Sequence, residues 1–113
     1  MKKIEAIIQP AAFERVKAAL EAADYPGITI TEVKGHGKQM GLTQNWLGRS
    51  IKVDTLPKMK LEIVVVDVEG ERIIRTILES ARTGIKGDGK IFVHRIEQAY
   101  KISSGESGDS VVS

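Results

Sequence analysis

The run Lys58-Met59-Lys60-Leu61-Glu62-Ile63-Val64-Val65-Val66 alternates along its length. Met59, Leu61, Ile63 and Val65 mark one face; Lys58, Lys60, Glu62, Val64 and Val66 mark the other, the pattern of a strand with one side on a core. Directly after it the period changes. From Val68 to Arg82, Ile73, Ile74, Ile77, Leu78 and Ala81 recur at helical spacing and are expected to face the core, with Gly84 placed to end the helix. Lys90 to Ile96 then reads as a strand again. The same order is written upstream. Lys3 to Gln9 is a strand stopped by Pro10, which has no N–H to give a ladder. Phe13, Val16, Leu20 and Ala23 set an apolar stripe on a helix between Ala11 and Ala23. Pro26-Gly27 turns the chain, and Ile28 to Val33, rich in Thr and Ile, is the next strand.

The order is βαββαβ, an α+β ferredoxin-like sandwich with a long loop between strands two and three. Ala99 to Ile102 reads as a short further strand, and residues 104–113 as a flexible polar tail after a domain spanning 1–103. Two helices cover only one face of such a sheet. The other carries Ile7, Val64, Val66 and Phe92 or their neighbours, an apolar surface that implies a closed homo-oligomer.

Composition narrows the class. At 113 residues with 42% hydrophobic content the chain suits one globular domain, and 4% aromatics leaves the core to Ile, Val, Leu and Ala. A formal charge of +2 is too small to imply a nucleic-acid or membrane field. The absence of cysteine removes thiolate chemistry and a disulfide framework and is compatible with a reducing cytoplasm. The start Met1-Lys2-Lys3-Ile4-Glu5 enters a strand without a signal-peptide core, and no apolar run approaches the roughly 18 residues of a membrane span. The expectation is a soluble cytoplasmic protein that neither inserts in a membrane nor binds nucleic acid.

Two segments stand outside this frame. Thr83-Gly84-Ile85-Lys86-Gly87-Asp88-Gly89-Lys90 packs glycines and lysines before a strand. Such a loop can turn backbone N–H groups onto one point, with ammonium groups beside them, as a seat for phosphate oxygens. It imitates the start of a Walker A loop but fails it: Ile91 stands where Ser or Thr should bind magnesium, and the loop runs from helix to strand. Its plainer reading is a mobile turn. The second segment, His36 to Pro57, has no sustained period and is too long for a simple connection. It opens Gly35-His36-Gly37-Lys38-Gln39-Met40-Gly41 and carries Trp46, Leu47, Ile51 and Leu56, apolar groups able to anchor a partner; the plainer reading is a disordered insertion.

Together, Thr31-Glu32-Val33-Lys34-Gly35-x-Gly37-Lys38-Gln39-x-Gly41, Val53-Asp54-x-Leu56-Pro57-Lys58 and Thr83-Gly84-x-x-Gly87-Asp88-Gly89-Lys90-Ile91-Phe92-Val93 resemble the PII nitrogen-regulatory signal proteins. The opening Met1 to Ile8 is similar too, and the likeness runs without a gap to about Ile102. The resemblance implies a homotrimer of ferredoxin-like subunits with ATP or ADP bound competitively in the clefts between them. It also implies 2-oxoglutarate binding with magnesium-ATP, and a projecting T-loop that engages ammonium channels or enzymes and regulators of nitrogen assimilation. It implies a sensor and not an enzyme.

Carried over residue by residue, Gly87, Asp88, Gly89 and Lys90 match the phosphate-holding B-loop (about 83–90), and Gly35, Gly37 and Lys38 match the base of the T-loop (about 36–57) on the same nucleotide. Thr29 and Val64 are expected near the adenine, and Glu62 matches the family's polar contact below the nucleotide. Gln39 would give an oxygen to magnesium and, with Gly41 and Lys58, would hold 2-oxoglutarate. Trp46, Leu47, Arg49 and Ile51 would meet the partner.

Two departures matter. In place of the family's Tyr-containing signature this chain has Trp46-Leu47-Gly48-Arg49-Ser50-Ile51; Ile51 has no hydroxyl, so uridylylation there is chemically impossible. Ser50 offers a hydroxyl one position beyond the serine phosphorylated in cyanobacterial members. In the C-loop, many members carry arginines where this chain has Lys101 and Ser103, so a bidentate fork becomes a point charge and a cation is lost. That implies a preference tilted from ATP towards ADP or AMP, and an alternative role as an adenylate- or bicarbonate-responsive regulator of carbon metabolism. A small nucleotide-hydrolysing enzyme is the rival of another class, but His36 and His94 lack a visible catalytic partner. An RNA-binding sheet would need more stacking aromatics than Phe92.

Overall fold

A computed structural model describes residues 1–25, 27–36, 43–46, 49–52 and 55–112, with 43–46 and 49–52 described by their backbone alone. Its elements are β1 (Lys2–Ile8), α1 (Phe13–Ala22), β2 (Thr29–Gly35), β3 (Thr43–Trp46), β4 (Arg49–Lys52), β5 (Leu56–Val65), α2 (Gly70–Ala81) and β6 (Gly89–Arg95). Four strands form one sheet in the order β2-β5-β1-β6, with every neighbouring pair antiparallel. This is the ferredoxin-like α+β arrangement that the patterning implies.

The register follows from alternation. Ile4, Ala6 and Ile8 of β1 lie opposite Ile63, Leu61 and Met59 of β5 and face the helices. Across the layer, Val16 and Leu20 of α1 and Ile73, Ile77 and Ala81 of α2 complete a wholly aliphatic core. Removing most of a side chain such as Ile63 from such a core costs about 2–5 kcal/mol. The two halves begin their helices alike: Gln9 and Val66 are extended, and short 3-10 turns at Pro10–Ala12 and Asp67–Glu69 lead into α1 and α2. Two arginines stitch the helices together. Arg15 donates from Nε to the Ser80 carbonyl at 2.9 Å, and Arg72 donates from Nη1 to the Ala23 carbonyl at 2.8 Å. Arg72 also lies 5.3 Å from the centre of the Tyr25 ring and pairs with Glu69.

Several sequence expectations change. The segment expected to lack regular structure contains the antiparallel hairpin β3–β4, with Thr43 opposite Lys52 and Trp46 opposite Arg49. Ala99 to Ile102 is no strand; it makes a single bridge, Tyr100 to Ser107. The chain after it turns on itself through Lys101 N to Glu106 O at 2.8 Å and Gly105 N to Lys101 O at 2.7 Å, then enters a 3-10 turn at Asp109–Val111. Leu78 is 42% exposed and not core; it lines the open groove between α2 and the edge strand β6. Gly84 does not end α2: the extended backbone of Arg82 does, and Gly84 takes its positive φ of 83° in the loop beyond.

The helix-free face is also more polar than its apolar members alone implied. Lys3 pairs with Glu62 at 3.2 Å and Lys60 lies 3.8 Å from the same carboxylate, between Ile7, Val64 and a half-exposed Phe92. No helix of the described residues is long and apolar enough to cross a membrane.

Candidate functional site

Between α2 and β6 the loop is shaped by one carboxylate. Asp88 Oδ2 accepts from the N–H groups of Thr83 at 2.8 Å and Gly84 at 3.0 Å, and its Oδ1 accepts a short hydrogen bond from the Thr83 hydroxyl. These donors, the Thr83 hydroxyl foremost, hold the Asp88 carboxyl below the usual carboxylate range. Gly84, Gly87 and Gly89 all have positive φ. At Gly89 the demand is also steric: a Cβ would sit 1.8 Å from the Ile7 carbonyl oxygen, because β6 starts hard against β1. No other residue type fits there.

The loop is then tied to two strands through a single atom. The Gly87 carbonyl accepts from Gln9 Nε2 at 2.7 Å and from Lys58 Nζ at 3.2 Å. Gln9 directly follows β1 and Lys58 is the third residue of β5, so three sequence-distant segments meet at one oxygen. Lys58 is only 9% exposed, and burial pushes its ammonium pKa down. The backbone of Gly35 lies along it, so that a Cβ there would come within 3.2 Å of Lys58 Cγ. Gly35 is the last residue of β2, and the chain beyond it leads to the β3–β4 hairpin.

The structure therefore brings together Gly35, Lys58, Gly87, Asp88 and Gly89 at one end of the sheet. Lys90 follows on β6, opposite Ile7. Asp88, Gly89 and Lys90 also line a groove of about 180 Å³ between α2 and β6, with Leu78, Ala81 and Arg82. Thr29, Glu62 and Val64 are elsewhere. Thr29 lies opposite Glu62. Glu62 is four residues along β5 from Lys58, about 13 Å at the rise of a strand, and on the helix-free face with Val64. Lys101 and Ser103 are exposed in the turn beyond β6, the backbone of Lys101 being held by that turn alone among the described hydrogen bonds. Gly37, Lys38, Gln39, Gly41 and Leu47 lie outside the described residues, as do the side chains of Trp46, Arg49, Ser50 and Ile51.

Chemically, the loop already shows how it treats an anion: N–H groups and a hydroxyl converge on a carboxylate. Lys86 and Lys90 add exposed cations, and Lys58 a buried one. Glycines remove the side chains that would keep a phosphate from the backbone. Among the described residues no group of three or more His, Asp or Glu side chains is arranged to hold a metal ion. Gln9 was not among the residues singled out from sequence. A polar residue before a proline at a strand end carries no local mark of a partner 78 positions away.

A profile of the family described as "Nitrogen regulatory protein P-II" matches residues 1–106. The "Nitrogen regulatory protein P-II 2" of Methanothermobacter thermautotrophicus is 49% identical over 112 residues, covering 99% of this chain and 97% of that protein. The "Nitrogen regulatory protein P-II" of Bradyrhizobium diazoefficiens is 52% identical over 108 residues, 96% of each chain. That of Rhodospirillum rubrum is 49% identical over 112 residues, 99% of this chain and all of its own length.

Proposed function

Because this chain belongs to the nitrogen regulatory protein P-II family, we propose that it is a homotrimeric sensor that binds ATP or ADP between subunits and regulates a partner of nitrogen metabolism through its T-loop. The observation that carries the reading is the convergence on Gly87. The loop suited to phosphate and the lysine suited to a carboxylate meet at that oxygen, and the glycine that opens the partner-facing segment lies against the stem of the same lysine. A ligand on the first two is thereby felt by the third.

In this reading phosphates lie on the backbone of Gly87 to Lys90, with the Lys90 and Lys38 ammoniums as counter-charges. Asp88 acts by holding the loop's curve, since its carboxylate is engaged by Thr83 and Gly84. The separation of Thr29, Glu62 and Val64 from the loop supports a cleft in which one subunit's loop faces another subunit's helix-free face. Lys58, Gly41 and Gln39 would hold 2-oxoglutarate, and Gln39 together with the phosphates would hold magnesium, which supplies charge neutralisation when bound. The role in this reading is regulation, the word the relatives' names carry, and not turnover.

A second reading is favoured by one observation. Lys101 and Ser103 sit exposed where an arginine pair would supply forked contacts to phosphate, so the site's preference tilts from ATP towards ADP or AMP. Calorimetric titration of ATP, ADP and AMP with magnesium, with and without 2-oxoglutarate, separates the two. Tight ATP with ATP-dependent 2-oxoglutarate binding is the expected result for a nitrogen sensor. ADP or AMP preference with no 2-oxoglutarate response points to the adenylate-responsive, carbon-linked role. No adenylate binding at all, or a monomer by light scattering, overturns the proposal.

A further inference from the structure

We infer that Gln9 is a positioning residue whose hold on the Gly87 carbonyl sets how strongly an anion at Lys58 is coupled to the shape of the 83–89 loop. The geometry is a clasp with two fingers on one oxygen: Gln9 Nε2 at 2.7 Å and Lys58 Nζ at 3.2 Å. The two fingers differ in kind. The carboxamide of Gln9 is neutral and gives one of its N–H groups to Gly87, so a carboxylate ligand attracts it much less than it attracts an ammonium. The ammonium of Lys58 is the finger that an incoming carboxylate recruits, and recruitment turns it away from Gly87.

What happens to the loop at that moment depends on Gln9. With Gln9 in place, the Gly87 carbonyl keeps a donor when Lys58 leaves, and the loop keeps its curve through Asp88 next door. Without it, recruitment of Lys58 strips a half-buried carbonyl of both the side-chain donors it has among the described residues, and an acceptor left unsatisfied opposes the recruitment. Gln9 thus makes carboxylate binding and an ordered phosphate loop compatible, and its loss sets them against each other. Pro10 helps: with φ fixed and a 3-10 turn following, Gln9 is held at the end of β1 in extended backbone, φ −67° and ψ 141°. The identity of the carboxylate, 2-oxoglutarate, rests on the function proposed above; the clasp itself does not.

The experiment therefore has a ligand-free arm and a ligand arm, on the full chain. Gln9→Met keeps the length and removes the donor, Gln9→Lys restores a donor, and Lys58→Met removes the other finger. In ligand-free protein, amide exchange at Thr83 and Gly84 reads the loop. Each single Met variant raises it by less than about threefold, because one finger remains, and the double variant raises it by more than ~tenfold, as coupled neighbours do. A double variant equal to the product of the singles overturns the clasp. In the ligand arm, Gln9→Met weakens 2-oxoglutarate at saturating magnesium-ATP by about tenfold, the equivalent of one unsatisfied acceptor. ATP alone changes less than threefold, and Gln9→Lys recovers the 2-oxoglutarate affinity. Unchanged 2-oxoglutarate binding in Gln9→Met overturns the coupling. If the unaltered protein binds no 2-oxoglutarate, it is the proposed ligand that fails, and the exchange cycle still decides the clasp.

Discussion

Two turns of this molecule are built on glycines with positive φ, and they are held in opposite ways. The turn from Ala99 to Gly108 uses Gly105 and Gly108 and closes on itself by backbone hydrogen bonds, Lys101 with Glu106, Gly105 with Lys101 and Gly108 with Ala99. The loop from Thr83 to Gly89 uses Gly84, Gly87 and Gly89, but its shape is set by side chains: Asp88 from within, Gln9 and Lys58 from β1 and β5. A turn that closes locally needs nothing from the rest of the fold and transmits nothing to it. One held by distant side chains changes when those side chains are recruited elsewhere. That difference marks the second as the site.

A methyl group placed in each turn tests this difference most severely. In Gly89→Ala the new Cβ would stand 1.8 Å from the Ile7 carbonyl oxygen, and the β1–β6 ladder must give way. We expect a loss of about 3–5 kcal/mol, read as a fall of melting temperature by ~15 °C or more. In Gly105→Ala nothing lies within 4 Å, so only the positive φ of 76° is penalised. The expected cost is about 1–2 kcal/mol. Equal costs would mean that the 83–89 loop is no more constrained than the C-terminal turn.

Next in size is Lys58→Met. It leaves the loop with Gln9 but removes the buried cation, and 2-oxoglutarate affinity should fall by at least ~30-fold, the usual scale for deleting a charge-assisted hydrogen bond in a closed site. The melting temperature should move less than in Gly89→Ala, since a methionine stem fills the space beside Gly35. Retention of 2-oxoglutarate binding would place its carboxylate elsewhere.

The locally closed turn can be asked to join the site. Ser103→Arg adds a forked cation to an exposed position without touching the backbone bonds that close the turn. If that turn reaches a neighbour's phosphates, ATP affinity rises about tenfold and ADP affinity less. No change in either would confine the turn to a structural role.

How much of this was legible in sequence depends on the range of each interaction. Alternation from Met59 to Val65 and the stripe through Ile73, Ile77 and Ala81 name the core because burial is repetitive, and the structure buries these residues or packs them against it. The β3–β4 hairpin escaped because strands of four residues are too short to show a period. Leu78 sits at the border of its stripe, where only the sheet's edge decides its exposure. The ion pairs of Lys3 and Lys60 with Glu62 were missed by reading one face for its apolar members alone. In the site, the glycines of the 83–89 loop announce a special backbone, but the reason for Gly89 is the Ile7 carbonyl 82 residues away. Gln9 has no local signal for the same reason.

The smallest expected effect tests Asp88, the part of the loop's fixation that is its own. Its pKa is lowered chiefly by the Thr83 hydroxyl and then by the Thr83 N–H. A carboxylate with a depressed folded pKa contributes order that is complete above its ordinary value of 3.8 and is lost as pH falls through the lower, folded value. Carbon NMR titration of the Asp88 carboxyl should therefore give a midpoint below 3.8, and the amide resonances of Thr83 and Gly84 should shift with the same midpoint, since their N–H groups bond to that carboxylate. The turn at Ala99–Gly108, closed by backbone bonds, should show no such transition at its Gly105 amide. Thr83→Val, which removes the hydroxyl, should move the Asp88 midpoint upward towards the ordinary value while Gly84 continues to follow it. If the midpoint already stands at 3.8 in the unaltered protein, Asp88 does not hold the loop, and its curve must come from Gln9 and Lys58 alone.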